Sequence, residues 1–165
     1  MSAALMTVEA LVLPPKGRLI GVDLGTKTIG LALSDVERRI ATPLTTLKRI
    51  KFGRDAEGLA GQLRQFEAVA LVFGLPLALD GKDSPRAQAT RAFMREYLRL
   101  YPTPLAFWDE RMSTAAVERD LIANDVSRAK RAEVIDKMAA AYILQGALDR
   151  LAHMAAATRG EGGNS

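Results

Sequence analysis

The sequence predicts an α/β fold: a mixed five-stranded sheet that opens with an antiparallel hairpin and carries helices on both faces. Three features lead there. Arg18 to Leu24 (RLIGVDL) is apolar on both parities, as a strand covered on both faces must be. Only Gly25-Thr26-Lys27 separates it from the next strand, too short a link for anything but an antiparallel return. Beyond that hairpin, strand-like and helix-like segments alternate, which sets helices over a mixed sheet.

The elements follow in order. Thr28 to Ser34 puts Ile29, Leu31 and Leu33 on one face and Gly30, Ala32 and Ser34 on the other. Ile40 to Leu47 (IATPLTTL) is a third strand, and Pro43 assigns it to an edge or a bulge. Arg54 to Phe66 is a helix with Leu59, Leu63 and Phe66 as its apolar stripe, and Val69 to Phe73 is a short buried strand. Ser84 reads as an N-cap with Pro85 at the first helical position, opening a helix to about Leu100. Leu105 to Trp108 is the fifth strand. Ser113 or Thr114 caps a helix to about Ala123, and Arg128 to about Ala156 is long, Ala-rich and helical. Residues 1–16 read as a flexible leader, 17–157 as one domain, and the Gly-rich 158–165 as a disordered tail.

Composition narrows the chemistry. The 165 residues are 48% hydrophobic, enough for a core, and no apolar run approaches the ~20 residues of a membrane span. There is no cysteine and one histidine, His153. Disulfides and thiolate metal sites therefore fall away, and Ser-His-Asp and Cys-His catalysis are nearly excluded. The lack of cysteine suits a reducing compartment, so the expected location is the cytoplasm. An enzyme of this composition works through carboxylates, with an oxygen-loving cation such as Mg²⁺ or Mn²⁺. The net charge of +4 is mild and compatible with a polyanionic partner.

Three acidic residues stand out. Asp23 interrupts the most hydrophobic strand, where an unpaired carboxylate is very unfavourable. It is either a metal-binding or catalytic group on a cleft floor or the closing residue of the hairpin, bonded to the Gly25 and Thr26 amides. Glu110 follows the fifth strand, at the strand end where open α/β sheets place ligands, although Asp109-Glu110-Arg111 reads equally as solvated charge. Asp136 heads a stripe formed with Ala139, Ala140, Ile143, Ala147 and Leu151, which faces it toward the sheet unless it caps a helix starting there. Carboxylates brought together repel unless cations neutralise them, and two divalent ions in such a pocket can drive phosphodiester hydrolysis.

These residues lie in segments that resemble the YqgF/RuvX family of RNase H-like proteins, which are assigned to pre-16S rRNA processing or to Holliday junction resolution. The matching segments are GVDLGTKTIGLALSD at 21–35, FGLPL at 73–77 with DG at 80–81, DERMST at 109–114 and IDKMAAAYILQ at 135–145. The resemblance implies an RNase H-like fold with Asp23, Glu110 and Asp136 as the catalytic, metal-binding triad. It also implies a metal-dependent nuclease acting on structured RNA, with the 5′ side of pre-16S rRNA as the substrate. The alternatives are a resolvase cutting branched DNA, for which a two-fold homodimer would suit the symmetric junction, and a non-catalytic nucleic-acid-binding protein. Many members of the wider superfamily carry an acidic residue at the end of the fourth strand, where this chain has Gly74.

For holding substrate, Lys27 and Arg111 adjoin the acidic positions, and Ser84 and Arg86 stand at a helix amino end able to receive a phosphate. Further basic groups are Lys48, Arg49, Lys51 and Arg54; Arg91 and Arg95; and Arg128, Lys130 and Arg131. Each cluster is either a phosphate contact or a solvated face.

Overall fold

A computed structural model describes residues 5–78, 80–112 and 131–162, with side chains in the last stretch for residues 137–160. Its strands are β1 (Met6–Thr7), β2 (Leu19–Leu24), β3 (Thr28–Ser34), β4 (Ala41–Lys48), β5 (Ala70–Leu75) and β6 (Leu105–Asp109). Its helices are α1 (Phe52–Gln65), α2 (Pro85–Leu100) and α3 (Arg131–Gly162). The sheet order is β1-β6-β5-β2-β3-β4, with β2-β3 and β3-β4 antiparallel and the other pairs parallel. The expected mixed sheet and its N-terminal hairpin are present. All six residues of β2 are buried, because the strand is central and covered on both faces.

The two faces are packed differently. Ile20, Val22, Leu71 and Phe73 meet α1 and α2 through Leu59, Phe93, Met94 and Tyr97. Leu19, Val72, Ala106 and Trp108 meet α3 through Ala140, Ile143, Leu144 and Ala147. Small residues let α3 sit close. A Cβ added to Gly21 would lie 2.8 Å from the Ala140 carbonyl oxygen and 2.7 Å from Leu144 Cβ. Each fully buried Leu, Ile or Phe contributes about 1.5–3 kcal/mol relative to exposure. Of the stripe expected behind Asp136, Ala139, Ala140, Ile143 and Ala147 are fully buried and Leu151 is half-buried.

α3 runs antiparallel to β2. Gln145 receives the Ala41 amide at 2.9 Å and donates to the Arg39 carbonyl at 3.0 Å, at the turn beside the start of β2. The amino end of α3 therefore lies toward the end of β2, where Asp23 stands.

Several expectations need correction. The sheet has six strands, because Met6–Thr7 pairs in parallel with Ala106 and Phe107. A two-residue strand is too short to carry a hydrophobic period. The stretch read as a flexible leader is anchored to the domain at several points, although much of it is exposed. Val8 is fully buried, Arg38 donates to the carbonyls of Pro14, Pro15 and Gly17, and Arg150 reaches Glu9 at 3.3 Å. The tail read as starting at 158 is helical through Gly162, with the Thr158 hydroxyl bonded back to the Met154 carbonyl at 3.0 Å. β5 continues through Gly74 to Leu75, and α1 begins at Phe52. α2 begins at Pro85 and ends at Leu100, as expected. The helix expected after Ser113 or Thr114 lies outside the described residues.

Candidate active site

The ends of β2, β5 and β6 set the frame. In register, Val22 pairs with Phe73, Gly74 with Trp108, and Leu75 with Asp109. Asp23 thus enters the rank of Gly74 and Trp108, and Glu110 begins the short 3₁₀ turn (Glu110–Met112) that follows β6. One strand lies between β2 and β6, so their backbones run about 9.5 Å apart.

Asp23 is 2% exposed and Glu110 6% exposed. The pleat turns Asp23 to the α3 side of the sheet, with Leu19 and Gly21. Arg86 nevertheless reaches it from the first turn of α2. Its Nη2 donates to Asp23 Oδ1 at 3.0 Å and its Nε to the Leu24 carbonyl at 3.4 Å. The pair spans 63 positions of sequence and bends around the sheet end. The alternative reading of Asp23 as a hairpin closer weakens, because the Gly25 amide donates to the Thr28 carbonyl at 2.9 Å. Residue 136 lies in α3, one turn before the buried Ala140, at the helix end directed toward Asp23; its side chain is outside the described atoms. Among the described residues no three acidic or histidine side chains form a metal-holding group.

Gly74 has a steric reason. A Cβ there would press on Ile143 Cδ1 and lie 2.9 Å from Cγ1, and Ile143 is fully buried. Any side chain at this fourth-strand position would have to displace Ile143.

The expected substrate contacts divide. Lys27 is exposed at the β2–β3 turn, on the same sheet edge as Asp23. Arg86 is engaged with Asp23. Arg111 grips Asp109, its Nη2 2.6 Å from Oδ2 and its Nε 3.0 Å from both oxygens. The Arg111 guanidinium holds the Asp109 carboxyl below the usual carboxylate range. Ser84 behaves as a cap: its hydroxyl accepts the Ala87 amide at 3.1 Å and donates to the Pro76 carbonyl at 2.9 Å. Gln88 also donates its amide to the Ser84 carbonyl, and Pro85 has none, so little of this helix end is left for a phosphate.

One buried acid was absent from the sequence reading. Asp55, in the first turn of α1, is 4% exposed. Its Oδ2 takes Arg49 Nε at 3.0 Å and its Oδ1 the Ile50 amide at 3.0 Å. The signal existed, since Asp55 heads the Leu59–Leu63 stripe at four-residue spacing.

Residues 17–150 match a family model described as RuvX: Holliday junction resolvase. A protein of Methylocella silvestris is 67% identical over 137 residues, covering 83% of this chain and 85% of that protein. One of Beijerinckia indica subsp. indica is 66% identical over 140 residues, covering 85% of each. Both are named "Putative pre-16S rRNA nuclease". In fold, the chain is similar to T. thermophilus RuvC, solved in complex with a Holliday junction substrate, with a TM-score of 0.51 at 15% identity over 79% of this chain and 93% of that one.

Proposed function

The chain belongs to the RuvX family, and from that premise we propose that it is a divalent-metal-dependent endonuclease that processes the 5′ end of pre-16S rRNA in the cytoplasm. The observation that carries this reading is Asp23, a carboxylate buried at the end of the central strand, one strand away from the strand that leads to Glu110. Residues 17–157 form the nuclease domain in this reading. Among the described residues no helix is long and apolar enough to cross a membrane.

The residues fit a hard cation. The donors are carboxylate oxygens with no thiolate available and no histidine near the sheet end, as Mg²⁺ or Mn²⁺ prefers. Asp23, Glu110 and Asp136 would hold the metal. When bound, a pair of such ions supplies an activated water and stabilises the leaving oxygen of the phosphodiester. Arg86 balances the buried charge of Asp23 and stands ready to contact a phosphate oxygen at the same edge. Lys27, on the adjoining turn, and Arg111, beyond Glu110, flank the site from either side and orient the backbone. Ser84 acts through the N-cap that places Arg86.

The test is cleavage of labelled pre-16S rRNA and of a DNA four-way junction, in Mg²⁺, in Mn²⁺ and in chelator, by the wild type and by Asp23→Asn. Metal-dependent cutting of the RNA, lost in the variant, is expected. Cutting that survives Asp23→Asn overturns the assignment of Asp23. Cutting of the junction alone moves the protein to the resolvase reading, which the family description favours. No cutting of either substrate leaves a binding protein.

A further inference from the structure

Several cationic groups outside the candidate site are engaged within the fold. Arg91 pairs with Asp83 at 2.9 Å and covers the Phe107 ring, Arg99 pairs with Glu96, and Arg38 holds the leader carbonyls. Arg49, which the sequence groups with Lys48, Lys51 and Arg54, is also engaged, with Asp55 and with the Gly25 carbonyl at 2.7 Å.

Removing Arg49 from that group brings Lys27 into it. Lys48 pairs in register with Thr28, and the Arg49 amide donates to the Lys27 carbonyl at 2.9 Å. Lys51 is the N-cap of α1 and Arg54 lies in its first turn. The side chains of Lys27, Lys48, Lys51 and Arg54 are exposed, and none forms an ion pair among the described residues. Asp55 beneath them is buried and already held, and the exposed acid nearby is Glu57, one turn along α1. Arg49 braces the platform by tying α1 to the β2–β3 turn.

Position connects this platform to the site. Asp23 pairs with Gly30, which pairs with Thr46, and Lys48 lies two residues further along β4. The platform therefore starts two strand spacings, about 9.5 Å, to one side of β2. On the other side of the site Arg111 is gripped by Asp109, so the two flanks differ.

We propose that Lys48, Lys51 and Arg54, continuing from Lys27, form a shelf that binds the phosphate backbone of the nucleic acid on one side of the scissile bond. The inference rests on the nucleic-acid reading above and adds where and by which groups the flank is held. Four side-chain charges supply the attraction, and the amino end of α1 adds its partial positive charge. Contacts of this kind position the strand without reading its sequence.

The experiment measures binding of a fluorescent single-stranded RNA and of a DNA four-way junction across a salt series, in chelator so that nothing is cut. The wild type is compared with K48A/K51A/R54A and with R95A/R99A, which removes charge from α2. Loss of three phosphate contacts should lower the slope of log affinity against log salt by about 2 on single-stranded RNA. The control should stay near the wild type, and the thermal midpoint of the triple variant should hold because its sites are exposed. A reduced slope on either substrate supports the shelf and identifies the form it grips. An unchanged slope, equal weakening in the control, or no binding by the wild type overturns it. A protein that binds through the shelf and never cuts leaves this inference standing while removing the nuclease reading.

Discussion

Asp23 and Asp55 are both buried aspartates, both joined to an arginine at 3.0 Å, and lie on neighbouring parts of the same sheet end. Asp55 is held by its own loop, by groups five and six positions away. Its ion pair closes the β4–α1 connection and leaves both oxygens accounted for. Asp23 is joined by a residue 63 positions away, at an edge where three strands end and where α3 presents its amino end. Burial of a charge thus marks something that needs explaining. In the proposed reading, the origin of the partner separates the brace at Asp55 from the site at Asp23.

Substitutions can break or sharpen that contrast. The largest effect belongs to Asp23→Asn: cleavage should fall at least about 10³-fold, beyond the 10–100-fold usual for groups that only orient a metal ligand, while the protein stays folded by circular dichroism. Asp55→Ala should do the reverse. It removes one member of a mostly buried ion pair and should cost about 3 kcal/mol in urea unfolding, with activity per folded molecule retained. If Asp55→Ala abolished cleavage in folded protein, the distinction between the two acids would fail.

Gly74→Ala tests the wall between Asp23 and β6. Its Cβ must displace the Ile143 side chain, at a cost of about 1–3 kcal/mol, and Ile143→Val in the same chain should recover part of it. Ser84→Ala should cost about 1 kcal/mol through the lost cap. If it instead weakened substrate binding with stability unchanged, Ser84 would be a direct ligand. The smallest effect is pH-dependent. The Asp109 carboxyl is held below its ordinary value by Arg111, so the pair stabilises the fold above the unfolded carboxylate range and loses that contribution as pH falls through the folded value. Asp109→Asn should therefore flatten the acid side of the thermal-midpoint profile.

Much of this architecture was legible because local chemistry and tertiary packing agree. The Ser84-Pro85 cap fixed the start of α2, three residues of turn fixed the hairpin, and the alanine stripe from 139 to 147 identified the buried face of α3. What escaped depends on partners distant in sequence or on segments too short for a period. β1 exists because β6 offers a free edge to two residues. Gly74 looked like the end of a strand, while its role comes from Ile143, contributed by the last helix. Asp55 heads an apolar stripe in the same way as Asp136, so that pattern alone cannot tell a brace from a ligand. Of the site itself, the sequence marked Asp23 by its apolar surroundings. The pairing of Arg86 with it arises only when α2 packs beside β5 and directs its first turn over the sheet end.

The most direct measurement is Mn²⁺ titration followed by electron paramagnetic resonance, on the wild type, Asp23→Asn and Asp136→Asn. Saturable binding in the wild type that is lost in both variants is the predicted result, since carboxylates from β2 and α3 are held to share the ion. Binding left intact by either substitution, or absent from the wild type, contradicts a shared metal pocket at this sheet end.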